Sequence, residues 1–407
     1  MIREENMPHK IRIHMLQAEQ GDAFLISCGT DADRKHILVD GGTKKTYGEL
    51  HRLLEPMGKR GERLDLLMVT HIDNDHIGGI IELLENNGPA ESPQLIPIAD
   101  IWHNAYLQLQ FPKEHRIAEH QRKIAERLIA GGDGTGGDGK GEISARQGST
   151  LGALLYENKY NWNRCTEGKA VHRDSLPVFS LSDDICLRML SSTKEGLEKL
   201  GKDWLNKLYD QNYVGKPGTD ALFDDAYEMM LRRMEEQRKA NKRKKQSISH
   251  APATWDSFKE EEVEEDDGVA NGSSLAFVLE YRKEKRLLYL GDAHPSVIVE
   301  GLRCHYADEQ PPYTFKAIKV SHHGSGRNTI PKLLDVVDAD FYFLSTNGKY
   351  GHPDISTLVR IVDRPGRERT LLFNYETDSV AYMRGQQARQ QERGVHFRTE
   401  VTTYFEI

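Results

Sequence analysis

The segment His71-Ile-Asp-Asn-Asp-His-Ile-Gly-Gly79 constrains this chain more than any other feature. It packs two imidazoles and two carboxylates into six residues, directly after the apolar stretch Leu64-Asp-Leu-Leu-Met-Val-Thr70. An apolar run of that length predicts a buried strand, and the polar cluster at its end predicts that the strand opens into a cleft. Imidazole nitrogen and carboxylate oxygen suit Zn²⁺ or a harder divalent ion such as Mn²⁺. The tight turn splays the four side chains, so one ion can take His71 and Asp73 and a neighbouring ion Asp75 and His76. Capping the helix expected over 80–85 needs one acid, not two acids set between two histidines. Gly78 and Gly79 predict that this helix approaches its neighbours closely.

Strands are expected on either side of this motif at Ile11–Leu16, Ala23–Ser27, His36–Asp40 and Ile98–Trp102, with a helix around Tyr47–Met57. Further strands are expected at Leu275–Tyr281, Arg286–Leu290, Lys316–Val320, Phe341–Leu344, Thr370–Asn374 and Ser379–Met383. The middle differs. Gly131–Gly141 reads GGDGTGGDGKG, lacks a GK[ST] ending and follows no strand, so it is read as a loop rather than a phosphate cradle. Residues 195–245 look helical and end in the basic run Arg238–Lys245, and Glu260–Asp267 is strongly acidic. Charge blocks of this kind are usually exposed and often disordered. Three spans are therefore expected: residues 1–103 and 269–407 as two halves of one layered domain, and 104–268 as a partly helical, partly disordered insertion that can serve a protein partner.

Three more clusters close apolar runs. Leu288-Tyr-Leu-Gly-Asp292 ends on an aspartate placed to bridge two cations, although in isolation a Gly-Asp turn is the favoured reading. Val320-Ser-His322-His323-Gly324-Ser325 offers adjacent histidines that should point to different sides, so one of the two is expected to bind metal. Gly351-His352-Pro353 on its own reads as a turn with a solvated histidine. Layered α/β folds place their sites at such strand ends.

In this order, His36-Ile-Leu-Val-Asp-Gly-Gly42, Thr70–Gly79, Asn271-Gly-Ser-Ser-Leu275, Leu290-Gly-Asp292, Ser321-His-His-Gly-Ser325 and Tyr350-Gly-His-Pro353 resemble the metallo-β-lactamase superfamily. Within it they are most similar to the hydrolase domain of ComEC-type DNA-uptake proteins. The resemblance covers both flanking segments and none of 104–268. It implies a four-layer αββα sandwich, an α/β fold, with two divalent metal ions between the sheets: Zn²⁺, with Mn²⁺ as the alternative. It also implies His71 and Asp73 as ligands of the first ion, Asp75 and His76 of the second, Asp292 as the bridge and His322 as the second ion's remaining histidine. Asp40 takes the place of an acid that orients a ligand from behind. His103 fits a further ligand of the first ion, or equally a buried, hydrogen-bonded histidine. Asp73 departs from the family, where many relatives carry a third histidine, and leaves the metal open between zinc and manganese.

The resulting expectation is a hydrolase that uses a metal-activated water on phosphodiester bonds of DNA, RNA or nucleotides. Asp75 would help hold the nucleophile, and His352 or His323 would contact a phosphate or protonate the leaving oxygen. A same-fold hydrolase of a lactone, thioester or lactam, or an interaction subunit of a larger complex, are the alternatives. With 55 Lys and Arg against 63 Asp and Glu, the net charge of −8 excludes a wholly basic nucleic-acid coat but not a local basic channel. No run approaches the ~20 apolar residues of a membrane span. Four scattered cysteines without a CxxC pair, and no apolar leader, fit a cytoplasmic protein.

Overall fold

The computed structural model describes residues 9–31, 33–109, 116–130, 151–210, 212–218, 223, 225–230 and 254–407. Two sheets face each other. The smaller has the order β14-β1-β2-β3-β4-β5 and is built from β1 (Lys10–Met15), β2 (Phe24–Gly29), β3 (Arg34–Val39), β4 (Leu66–Met68), β5 (Ile101–Trp102) and β14 (Tyr404–Glu406). The larger runs β13-β12-β11-β10-β9-β8-β7-β6. Its strands are β6 (Val178–Ser180), β7 (Ile185–Ser191), β8 (Ala276–Tyr281), β9 (Lys285–Tyr289), β10 (Tyr313–Lys319), β11 (Val337–Leu344), β12 (Arg369–Phe373) and β13 (Phe397–Val401).

Alternation along the strands explains the layering. Ile11, Ile13 and Met15 of β1, Phe24 and Ile26 of β2, and Ile37 and Val39 of β3 meet Phe277, Leu279, Leu287, Tyr289 and Leu372 from the other sheet in a central core. The opposite parity, Leu25, Leu38 and Leu67, packs outward under α1 (Tyr47–Lys59) and α2 (Asn74–Asn87). On the outer face of the larger sheet, Val278, Leu288 and Leu371 pack under the helices Pro295–His305, Ile355–Val362 and Asp378–Glu392. The result is the four-layer αββα sandwich.

Three expectations need correction. Strands β6 and β7 lie within the span expected as an insertion, yet β7 pairs with β8 from Ile185↔Tyr281 to Ser191↔Ala276. The sandwich therefore takes strands from inside 104–268, and α3 (Glu119–Ala130), α4 (Leu151–Glu157) and α5 (Lys194–Asp210) extend the core under α1 and α2 through Ile124, Leu155 and Trp204. Ser379–Met383 is not a strand but the first turn of a helix capped by Thr377, whose hydroxyl oxygen accepts from the Val380 amide. The acidic run is not disordered. Asp266 is buried, and its carboxylate accepts from the side-chain amides of Asn271 (2.6 Å) and Asn328 (3.3 Å). Arg327 ties down the same stretch through the Glu265 carbonyl and Asp267 (both 3.0 Å). The glycine-rich segment and the basic run at 238–245 lie outside the described residues. No helix among the described residues is long and apolar enough to cross a membrane.

Candidate metal centre

Strands β3, β4 and β5 run parallel, as do β9, β10, β11 and β12, and the side chains of interest follow the carboxyl ends of these two sets. Val39 leads to Asp40, Met68 to Thr70 and His71, Trp102 to His103, Tyr289 to Asp292, and Lys319 to the turn Ser321–Gly324. Helix α2 begins inside the motif. Asp73 occupies its N-cap position without making a side-chain cap, while Asp75 and His76 sit buried in its first turn. The approach expected at the glycines is close: a Cβ on Gly79 would lie 2.0 Å from the Gly41 carbonyl oxygen, and one on Gly78 2.6 Å from the Lys44 nitrogen.

Behind the histidines, hydrogen bonds fix the rings. Asp40 accepts from the Thr70 amide (2.8 Å) and hydroxyl (2.7 Å), and its Oδ2 also lies 2.9 Å from His76 Nδ1. The single hydroxyl proton of Thr70 goes to Asp40, so at the 3.1 Å contact His71 Nδ1 is the donor and Thr70 Oγ1 the acceptor. This leaves His71 Nε2 as a lone pair. His322 Nδ1 lies 3.0 Å from Asn328 Oδ1 and 3.8 Å from Asp266. His323 Nδ1 lies 3.0 Å from the Ser345 carbonyl and 3.3 Å from Asp22.

In front, four imidazoles converge on one oxygen. Asp292 Oδ2 lies 3.6 Å from His76 Nε2 and 3.8 Å from the Nε2 atoms of His71, His322 and His323. His71 Nε2 is also 3.6 Å from Asp73, and His323 Nε2 4.0 Å from Asp75. These separations are too long for hydrogen bonds. They are a few tenths of an ångström longer than the edges of a coordination shell, where two ligands each ~2.1 Å from one ion stand roughly 3–3.5 Å apart. His71 Nε2, His76 Nε2 and Asp292 Oδ1 are buried without a hydrogen-bond partner. Buried polar atoms are normally satisfied, so ring nitrogens left without partners beside carboxylates fit a shared cation. Asp22, His76, Asp292 and His323 each offer a ligand atom within 4.8 Å of all the others.

The imidazoles differ in their electrostatics. Burial opposes charge on His76, but the carboxylates of Asp292 and Asp40 outweigh it and hold its pKa well above the ordinary value. Burial would raise Asp292, yet the surrounding His322, His76 and His323 push it well below the carboxylate range. His322 is driven by burial down to about 3, and His103 likewise to about 3. Both are neutral at physiological pH, the state in which imidazole binds metals.

The structure brings together His71, Asp73, Asp75, His76, Asp292, His322 and His323. The expectation that adjacent histidines point to different sides does not hold. His322 and His323 lie in a left-handed turn (φ 47° and 54°), not at the end of a strand, and both present Nε2 to Asp292. His323 rather than His322 joins the tightest group. His352 reaches the cluster through His322, whose ring centroid is 5.5 Å away, and its Nδ1 lies 3.1 Å from Asp354. His103 stacks on Trp162 at 6.1 Å, and both its ring nitrogens are buried without partners, so it is not the hydrogen-bonded core histidine of the alternative reading.

Sequence reasoning missed Asp22 and Lys319. Lys319 is buried, forms an ion pair with Asp22, donates to the Gly291 carbonyl (3.1 Å) and lies 3.8 Å from Asp292 Oδ1. Burial works against the Asp22 carboxylate, and Lys319 and His323 more than compensate, lowering its pKa. Residues 16–151 match the family model described as the metallo-beta-lactamase superfamily. That match spans Asp22 to His103, and the αββα layering is the arrangement expected of this superfamily. The larger sheet supplies the rest of the site from beyond it: Asp292, Lys319, His322, His323 and His352. No curated protein matches the chain.

Proposed function

We propose that this chain is a dinuclear-metal hydrolase of phosphodiester bonds, related to the ComEC-type branch of its superfamily. The convergence of four imidazole nitrogens on Asp292 Oδ2 at 3.6–3.8 Å carries the reading. His71, Asp73, Asp75, His76, Asp292 and His323 would hold the divalent ions, with His103 as a further ligand from β5. Bound there, divalent ions supply an activated water and neutralise charge developing on the phosphoryl oxygens. Zn²⁺ fits the imidazoles, and Asp73 and Asp75 give the donor set enough hard oxygen for Mn²⁺.

The remaining residues position these groups. Thr70 and Asp40 fix the tautomers and ring planes of His71 and His76. Lys319 offsets the negative charge of Asp22 and Asp292, which keeps both ionised in a buried site. His352, oriented by Asp354 and set beside His322, stands where a proton can be handed to the leaving oxygen. A phosphodiester is favoured over a carbon-centred substrate by the resemblance of Ser321–Ser325 and Gly351–Pro353 to the DNA-uptake branch. Elemental analysis of purified protein, followed by assay of bis-aryl phosphodiester, single-stranded DNA, RNA, cyclic nucleotide, lactone and lactam with each metal, tests the proposal. Turnover confined to phosphodiesters is expected. Turnover confined to the lactone or lactam overturns it.

A further inference from the structure

The flank of α2 opens on a cleft of about 310 Å³ whose walls run on, along the chain, into segments of the metal centre. One wall is the turn Glu19–Gln20, which runs on into Asp22. A second is Thr43–Lys45, lying against Gly78. A third is the loop bearing Lys349, three residues before His352. Asn74, between Asp73 and Asp75, lines the cleft as well. Three of the cleft's walls are thus within three residues of a candidate site residue: Gln20 of Asp22, Asn74 of Asp73 and Asp75, and Lys349 of His352.

The charges lining it are unequal. Glu19 is engaged within the wall, where its carboxylate accepts from the Asn347 amide (3.1 Å) and its carbonyl from the Asn347 backbone (2.8 Å). Lys44 is paired with Glu82. Lys45 and Lys349 are exposed, and neither joins an ion pair among the described residues. Lys349 leans over the Tyr350 ring, its Nζ 5.4 Å from the centroid. On a chain of net charge −8, two cations without an ion pair among the described residues, lining one cleft next in sequence to the candidate site residues, are suited to an anion that extends beyond that site.

We propose that this cleft is a subsite for the phosphodiester backbone next to the scissile bond, with Lys45 and Lys349 as its phosphate contacts. The proposal rests on the phosphodiesterase reading and narrows it to a single strand of DNA or RNA, because a substrate with only one phosphate cannot fill both the centre and the cleft. Contacts to phosphate carry no sequence or sugar preference, so the two nucleic acids should bind alike.

The test uses the full metal-loaded chain and the double variant K45E/K349E, which alters only exposed side chains. Binding of fluorescent DNA and RNA strands of about 12 nucleotides, in the range of single-strand site sizes, is followed by anisotropy across KCl concentrations. In parallel, kcat/KM is measured for the same strands and for a bis-aryl phosphodiester. The variant is expected to bind both strands at least about 10-fold more weakly, with a salt slope shallower by about 1.4, the value for two lost phosphate contacts. The ratio of strand to small-diester kcat/KM should fall by a similar factor. Unchanged affinity, slope and ratio would overturn the subsite. If wild type binds strands through these lysines but cleaves neither strand nor small diester, the subsite stands and the hydrolytic reading fails.

Discussion

Strand β11 has a buried polar cluster at each end, and the two are built on opposite rules. At its start, Asp338 receives a two-pronged contact from Arg369 (2.9 and 2.8 Å), a third from Arg364 (3.1 Å) and a fourth from the Tyr342 hydroxyl (3.0 Å). Arg369, 1% exposed, gives its other protons to the carbonyls of Arg364, Pro365 and Arg367. Just past its other end, the Ser345 carbonyl anchors His323, and beyond it lie nitrogens and oxygens that face one another with no bond between them. Charge is buried in both places, more deeply around Asp292, but only the Asp338 network is satisfied. A complete network holds a scaffold together, whereas an incomplete one carries a cost that a bound cation would relieve.

Four substitutions sharpen or break this contrast. Asp292→Ala is expected to cut hydrolysis by at least about 10³-fold, with far-UV circular dichroism unchanged, since it removes the oxygen all four imidazoles face. Full activity of that variant would remove Asp292 from the bridging role. Asp338→Ala should act in the reverse sense. It strands the buried Arg369 charge and costs about 3–5 kcal/mol in urea unfolding, with specific activity of the folded fraction retained.

The Asp338 effect carries a pH signature. Burial works against its carboxylate, but Arg369 and Arg364 prevail and its pKa is lowered. Its contribution is therefore complete above the unfolded value of about 3.9 and fades as pH falls through the lower folded value. The stability gap between wild type and Asp338→Asn should narrow on acidification below about pH 4. A gap that widens there contradicts the assignment.

A smaller effect is expected from Asp266→Ala, which frees Asn271 and Asn328 behind His322. Metal affinity, read by chelator competition, should drop about 10- to 100-fold, with Asp266→Asn retaining part of it. The smallest concerns His103. Exchanging this unpartnered imidazole for leucine should raise the stability of metal-free protein by about 1 kcal/mol and lower the metal content of purified protein. Undiminished metal content would make His103 a core residue and not a ligand.

Much of this was legible in the chain before its fold was known. The motif at 71–79 is local: strand, turn and helix lie in one window, so their periodicity and ligand spacing can be read together. Asp292 and the 322–323 pair close apolar runs and were found for the same reason. Asp22 was passed over because only Gly21 and an apolar run mark it, while its partner Lys319 lies on the far sheet. Lys319 itself reads as the polar end of a strand. Asp266 hid in a charge run whose composition points to solvent, because nothing local announces the two asparagines and the arginine that hold it. The misread strand at 379–383 had its signal in Thr377, a helix cap overlooked beside the apolar Val380 and Met383. The strands β6 and β7 were hidden by their setting between charged, glycine-rich stretches.

The centre draws on Asp22 near one end of the chain and on Asp292, His322 and His323 near the other. A ribosome that has made only the first two-thirds of the protein has produced the complete motif at 71–79, yet no Asp292 to set beside it. Assembly of the candidate centre thus follows synthesis of β10 and its turn, and a prematurely terminated product lacks every donor that the larger sheet contributes.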